Sequence, residues 1–172
     1  MNVSDNKSKL SLSSSPISIY HNSKFSFDDV ESVLEPLFGN YYGISELRAI
    51  ISNVDHIWCA YNTTKKQYVA CALVRTYNTD KVLFINLFGV TQACQGQGIG
   101  TRLLKAIKNW GQKQKYVAII LHTQVDNYKA IGLYEKVGFY KQYYITNFFP
   151  PRGCLSFFRS HGSDAYEMIL YL

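Results

Sequence analysis

Seven residues near the middle of the chain, Gln95-Gly96-Gln97-Gly98-Ile99-Gly100-Thr101, have the types and spacing of an anion cradle. Glycine lets successive backbone amides turn inward and lets a charged group come close to the main chain. A helix that starts from such a loop adds the positive end of its macrodipole, so the chemistry on offer is the binding of a pyrophosphate. Two familiar glycine loops do not fit. A triphosphate-binding loop needs Gly-Lys-Ser/Thr, and here Gly100 meets Thr101 with no lysine between them. A dinucleotide fingerprint needs G-x-G-x-x-G, whereas Gly96, Gly98 and Gly100 simply alternate. Cys94 is near the loop but has no adjacent histidine and acid to make it a nucleophile, and it reads as a structural thiol.

The flanks must present this loop. Val82 to Val90 is apolar nearly throughout, as expected of a strand inside a sheet covered on both faces. After Gly100, Leu103, Leu104, Ile107 and Trp110 recur at helical spacing. Tyr116 to Thr123 reads as a buried strand and Asn127 to Lys136 as a helix, ended by Gly138. Upstream, Ile17 to Tyr20 predicts a strand, Phe27 to Leu34 a helix capped by Ser26, and Ile44 to Ile51 a second helix. Ile57 to Tyr61 and Tyr68 to Tyr77 form a hairpin across the polar turn 62–66. Phe139 to Phe149 and Ala165 to Leu172 read as terminal strands joined by an irregular segment with Pro150, Pro151, Gly153 and Gly162. The fold class is therefore α/β.

With 172 residues, 47% of them hydrophobic, the chain suits one domain that folds without metal or disulfide staples. Residues 1–15, rich in Ser, Asn and Lys, read as a flexible tail, and residues 16–172 as the domain. Cys59, Cys71, Cys94 and Cys154 show no CxxC pair and follow no apolar leader, so they are expected to be reduced thiols in a cytoplasmic protein, with no bound metal. No apolar run approaches the roughly 20 residues needed to cross a bilayer. The formal charge of +6 suits an anionic partner, or a merely solvated basic surface; without an RNP-like motif, nucleic acid is disfavoured.

Gln95, Gly98 and Gly100 match the Gln/Arg-x-x-Gly-x-Gly/Ala signature of the GNAT superfamily of N-acetyltransferases. A second block, Asn127 followed by Ala130-Ile131-Gly132-Leu133-Tyr134-Glu135-Lys136-Val137-Gly138-Phe139, is also similar to that superfamily and spaced as it spaces its blocks. The resemblance implies the GNAT fold, a single mixed central sheet with flanking helices and a splayed strand pair that binds acetyl-CoA. It implies that Leu87, Phe88, Gly89 and Val90 pair with the pantetheine arm and that Gln97 to Thr101, with Gln95 and Gly96, hold the pyrophosphate. Asn127 would contact the pantetheine. Tyr134 would protonate the departing thiolate, a task a phenol of pKa ~10 can perform for a thiol of ~8.5.

Within the superfamily, Leu121-His122-Thr123-Gln124 resembles the Leu-His-Val-Gln segment of the protein N-terminal acetyltransferases NatE and NatF, where the histidine helps a water deprotonate the peptide's α-amine. Phe38-Gly39-Asn40-Tyr41-Tyr42 resembles their peptide-gripping Phe-Pro-Val-x-Tyr segment and Asn147-Phe148-Phe149 their Asn-Tyr-Tyr loop, so Phe38, Tyr42, Phe148 and Phe149 are expected at the acceptor. Phe84 stands where those enzymes carry a second catalytic tyrosine, and a phenyl ring cannot move protons; either His122 works alone, or a neighbouring tyrosine such as Tyr42 substitutes, or the acceptor is not a protein N-terminus. Asn86, two residues along, is expected on the same face, orienting the amine or a water. The expected acceptor is a protein N-terminal α-amine. The alternatives are a lysine side chain, a small polyamine-like amine, or a non-catalytic CoA-binding module, which Phe84 favours.

Overall fold

The computed structural model describes residues 16–149 and 162–172. The expected tail, Cys154 and most of the irregular segment lie outside the described residues. In chain order the elements are β1 (Ile17–His21), α1 (Phe27–Phe38), α2 (Ile44–Ser52), β2 (His56–Asn62), β3 (Gln67–Tyr77), β4 (Val82–Val90), a 3-10 turn (Gln92–Cys94), α3 (Ile99–Lys113), β5 (Ala118–Gln124), α4 (Tyr128–Val137), β6 (Tyr140–Phe149) and β7 (Ser163–Tyr171). They make one sheet of order β1-β2-β3-β4-β5-β7-β6, antiparallel except for the β4–β5 pair. The sheet is mixed with flanking helices, as expected.

Ser26 starts α1 with a capping box: its hydroxyl accepts from the Asp29 amide while the Asp29 carboxylate accepts from the Ser26 amide at 2.8 Å. Sequence reading ended this helix at Leu34, yet the helix runs on through Pro36 to Phe38. A proline in the last turn withdraws a single donor, and the next turn still closes, with the Gly39 amide donating to Glu35 O at 2.7 Å. That extra turn carries Leu37 and Phe38 to the mouth of the cleft described below.

The two faces of the sheet bury separate cores. On one, Val30, Val33 and Leu34 of α1 and Leu47 and Ile51 of α2 pack over Cys59, Cys71, Leu73 and Leu87. On the other, Leu103, Leu104 and Ile107 of α3 and Ile131 and Tyr134 of α4 pack over Ala60, Ala70, Ala72, Val74, Leu83 and Ile85. Leu103, Leu104 and Ile107 are essentially sealed from solvent, each stabilising the fold by roughly 1.5–3 kcal/mol relative to exposure. The expectation that β4 is covered on both faces needs correction. Its burial alternates strictly, with Leu83, Ile85, Leu87 and Gly89 buried and the residues between them only half-buried, because β4 borders an open cleft.

A bulge changes what alternation means in β4. Leu73 pairs with Leu87 and Val74 with Ile85, so Asn86 is the extra residue. Leu83 and Ile85 belong to the α3–α4 core, whereas Leu87 belongs to the α1–α2 core. The period of two is thus broken at Asn86, and a common face for Phe84 and Asn86 no longer follows from their spacing. Parallel pairing with β5 also stops here, at Ile85 opposite Leu121. Beyond it the strands splay.

Away from this cleft, β1 is fastened by aromatic packing. His21 stacks on Trp58 at 3.9 Å, Trp110 lies 4.5 Å from His56, and His21 Nε2 and His56 Nδ1 share a hydrogen bond of 3.1 Å. Burial lowers the pKa of both imidazoles below the ordinary 6.5; His56 lowers His21 further, and Asp55 partly opposes the shift at His56. The folded chain therefore holds these protons less tightly than the unfolded chain. Stability from the neutral pair is complete above the unfolded value and is lost as pH falls through the depressed folded ones. Tm is expected to fall between about pH 7.5 and about pH 5.5, and to fall less in His21→Gln, as read by thermal unfolding.

The buried Cys59 and Cys71 face each other across β2 and β3 with their sulfurs 2.9 Å apart, both as free thiols. The neighbouring thiol and burial hold Cys59 well above the usual thiol range. Both are inert core residues. Among the described residues no helix is long and apolar enough to cross a membrane.

Candidate active site

The β4–β5 splay opens into a cleft of about 980 Å³. Its floor on the β4 side is Asn86, Leu87, Phe88, Gly89 and Val90, and on the β5 side His122, Thr123 and Gln124. One end is closed by the glycine loop and the first turn of α3. Gly96 and Gly98 have φ of 75° and 74°, the left-handed region in which a side chain is strained, and a Cβ on either would meet nothing within 4 Å. The loop therefore presents bare backbone to open space. Gly98 also serves as the N-cap of α3 without any side-chain cap, so the first-turn amides of Ile99, Gly100 and Thr101 have no intrahelical acceptor. Uncapped amides of this kind are donors that suit an anion such as a pyrophosphate.

Gln95 and Gln97 act on the loop itself. The Gln95 amide donates to Val90 O at 3.0 Å and that of Gln97 to Ala93 O at 3.2 Å; Gln95 lines the cleft and Gln97 does not. Gly100 is where α3 meets its neighbours: a Cβ there would lie 3.0 Å from Leu133 of α4 and 3.5 Å from both Phe88 and Val90. Asn127 caps α4 by accepting from the Ala130 amide at 3.2 Å. Its Oδ1 is thereby used, which leaves the amide hydrogens as the group it can offer the cleft.

Tyr134, 6% exposed, lines the cleft from α4, with its ring in edge contact with Phe88 and tilted against Phe139. Burial pushes its phenol well above the ordinary 10, so it is protonated throughout the neutral range. His122 stands across the splay, in ring contact with Phe84 at 5.2 Å and Phe148 at 4.3 Å. The two phenylalanines brace His122 and are not part of the cleft wall, whereas Phe149, Phe38 and Tyr42 are. Burial raises the pKa of Tyr42, aided by the carboxylate of Glu46. Asn86 Oδ1 is buried with no hydrogen-bond partner, and it sits in the wall where the strands part. An orphaned acceptor at that point suits an N–H arriving with a substrate.

Sequence reading missed three groups. Glu167 of β7 lies opposite His122 in the β5–β7 register, with its Oε2 3.1 Å from His122 Nε2. Lys129 and Lys136 of α4 line the cleft. The lysines were legible as basic positions on the predicted helix. Glu167 was not, since 45 residues separate it from its partner and only the register brings them together.

A sheet with one splayed parallel pair, a bare glycine cradle beside it and a histidine and a buried phenol across the gap define an acyltransferase architecture. The chain belongs to the Acetyltransferase (GNAT) family, whose profile matches residues 26–139. It is 33% identical over 94 residues to N-alpha-acetyltransferase 30 of Schizosaccharomyces pombe, covering 51% of this chain and 52% of that protein. It is 32% identical over 95 residues to N-alpha-acetyltransferase 60 of Xenopus tropicalis, covering 54% and 36% respectively. The chain thus spans about half the length of the first of these relatives and less of the second. Among solved structures, the ribosomal-protein-S18-alanine N-acetyltransferase of Escherichia coli shares the fold at TM-score 0.74 and 17% identity, covering 90% of this chain and 93% of that one. Arabidopsis thaliana NAA60 bound to a bisubstrate analogue does so at 0.69 and 14%, covering 90% and 98%.

Proposed function

We propose that the chain is an acetyl-CoA-dependent N-acetyltransferase whose acceptor is a protein N-terminal α-amine. The observation that carries the choice of acceptor is the cleft lining, in which, among the described residues, no aspartate or glutamate occurs and Lys129 and Lys136 do. A polyamine or a lysine-rich tail brings several cations and needs carboxylates to hold them. A peptide N-terminus brings one reacting amine followed by amides and side chains that Leu37, Phe38, Tyr41 and Tyr42 can receive.

The cosubstrate supplies a thioester. Its phosphates meet the amides of the Gly96–Thr101 cradle, and its arm continues the unpaired edge of β4. The neutral amine, held by Asn86 Oδ1, attacks the thioester carbonyl from the α1–α2 side of the sheet; a C–N bond forms and the C–S bond breaks. His122 takes the proton the amine sheds, directly or through one water. Tyr134 donates its phenolic proton to the departing sulfur. Holding both reactants in one cleft removes the entropic cost of their encounter.

Burial keeps Tyr134 protonated but also weakens it as an acid, and a thiolate of pKa ~8.5 leaves tolerably without help. Tyr134→Phe is therefore expected to lower kcat by only about 10-fold, below the roughly 100- to 10,000-fold usual for a proton donor, with KM for acetyl-CoA little changed. Steady-state kinetics with a saturating acceptor would show it.

The activity itself is tested by release of free CoA from acetyl-CoA in the presence of peptides with varied N-termini, a histone-tail peptide and spermidine. Turnover on free N-terminal peptides supports the reading. Turnover on spermidine alone reassigns the acceptor, and tight acetyl-CoA binding without turnover on any amine replaces it with a CoA-binding module.

A further inference from the structure

We infer that Glu167 is the positioning residue of a His122–Glu167 dyad that fixes the tautomer of His122 and makes Nδ1 the base, in place of the tyrosine that Phe84 cannot supply. The inference rests on the proposed acetyl transfer for its kinetic consequences, but its structural content stands apart.

An acetyl transfer to an amine must remove one proton from nitrogen, and a phenyl ring at position 84 offers no group for it. His122 is the cleft-lining imidazole among the described residues, and a neutral imidazole is a base at one nitrogen only. Glu167 Oε2 lies 3.1 Å from Nε2. A carboxylate accepts and does not donate, so that contact requires the hydrogen on Nε2 and leaves the lone pair on Nδ1. The partner is not placed by a loop. His122 and Glu167 are directly opposed in paired strands, and both side chains are mostly withdrawn from solvent, 16% and 21% exposed. Phe84 and Phe148 flank the imidazole at 5.2 Å and 4.3 Å and resist the ring flip that would exchange its nitrogens.

During transfer, the amine proton passes to Nδ1 while Nε2–H keeps its bond to Glu167. The imidazolium formed is then paired with a carboxylate across a single hydrogen bond, and its extra proton leaves to solvent after the product departs. This is the orienting and charge-stabilising role of the acid in a histidine triad, and there the acid itself does not take the proton.

Two variants and a nitrogen NMR spectrum test it. In the wild-type chain the imidazole nitrogens of His122 are expected to show the Nε2–H form. Glu167→Gln keeps the volume but can turn an NH2 toward Nε2, favouring the Nδ1–H form; kcat on the best acceptor is expected to drop on the order of 10- to 100-fold, with KM for acetyl-CoA unchanged. Glu167→Ala can donate nothing to Nε2, leaves the tautomers mixed, and is expected to cost less than the glutamine. A purely structural role predicts the opposite order, with alanine worse, and no change of tautomer. A wild-type spectrum of the Nδ1–H form, or full kcat in Glu167→Gln, overturns the dyad. Should the wild type acetylate no amine at all, the proposed activity falls, while the nitrogen spectra still decide the dyad.

Discussion

Replacing His122 by alanine is expected to lower kcat on the order of 100-fold, about 2.7 kcal/mol of transition-state stabilisation, while acetyl-CoA binds as before. The separation follows from the two faces of the sheet. Leu121 packs into the α3–α4 core, so His122, its neighbour along β5, faces the α1–α2 side, where Phe84 and Phe148 hold its ring. The glycine cradle and Tyr134 belong to the α3–α4 side. Removing the imidazole therefore deprives the amine of its base and leaves the phosphate site intact. Calorimetric titration with acetyl-CoA should give an unchanged Kd, and steady-state assays with a peptide acceptor should give the lowered kcat. Added imidazole should restore part of it, because alanine leaves a ring-sized space between the two phenylalanines. A variant that keeps its kcat would remove His122 from the chemistry; one that loses acetyl-CoA binding would make it a structural residue.

The glycine end of this cleft was legible in the sequence and the end that holds His122 was only half so, for a physical reason. Glycines at left-handed positions announce themselves, since few other residues tolerate that backbone. Gly96 and Gly98 are such positions, and the apolar period from Leu103 to Trp110 placed the helix behind them. The bounds of β4 were also legible, because its apolar run ends where the strand does. The bulge at Asn86 was not, because it is a property of how β4 pairs with β3, which a near-continuous apolar run does not mark. Glu167 was hidden for the same reason: its meaning comes from standing opposite His122. Reading α1 as ending at Leu34 shows the other limit, since the helix runs through Pro36 and its last turn still closes on Glu35. Local preferences thus revealed what one segment does, and strand register determined what two segments do together.

The cradle gives the other large effect, because it is built from backbone and any side chain there costs twice. At Gly98, φ is 74° and the space beside the α carbon is empty. Valine at this position would force a β-branched residue into the left-handed region, at a cost of roughly 1–2 kcal/mol or more. Its methyl groups would also fill the space in front of the uncapped amides of Ile99 and Gly100. If the chain relieved the strain by rotating the peptide, those amides would turn away from the ligand. Either response weakens the anion site, so Gly98→Val is expected to raise Kd for acetyl-CoA on the order of 100-fold, about 2.7 kcal/mol, with a smaller loss of thermal stability. Gly98→Ala should fall between, since a single methyl strains less and fills less. The two variants separate strain from occlusion: a Kd that worsens steeply from alanine to valine while stability barely changes between them identifies occlusion of the phosphate site. Equal Kd values for wild type and valine would mean that the phosphates bind elsewhere, and the cradle would then be only the turn that starts α3.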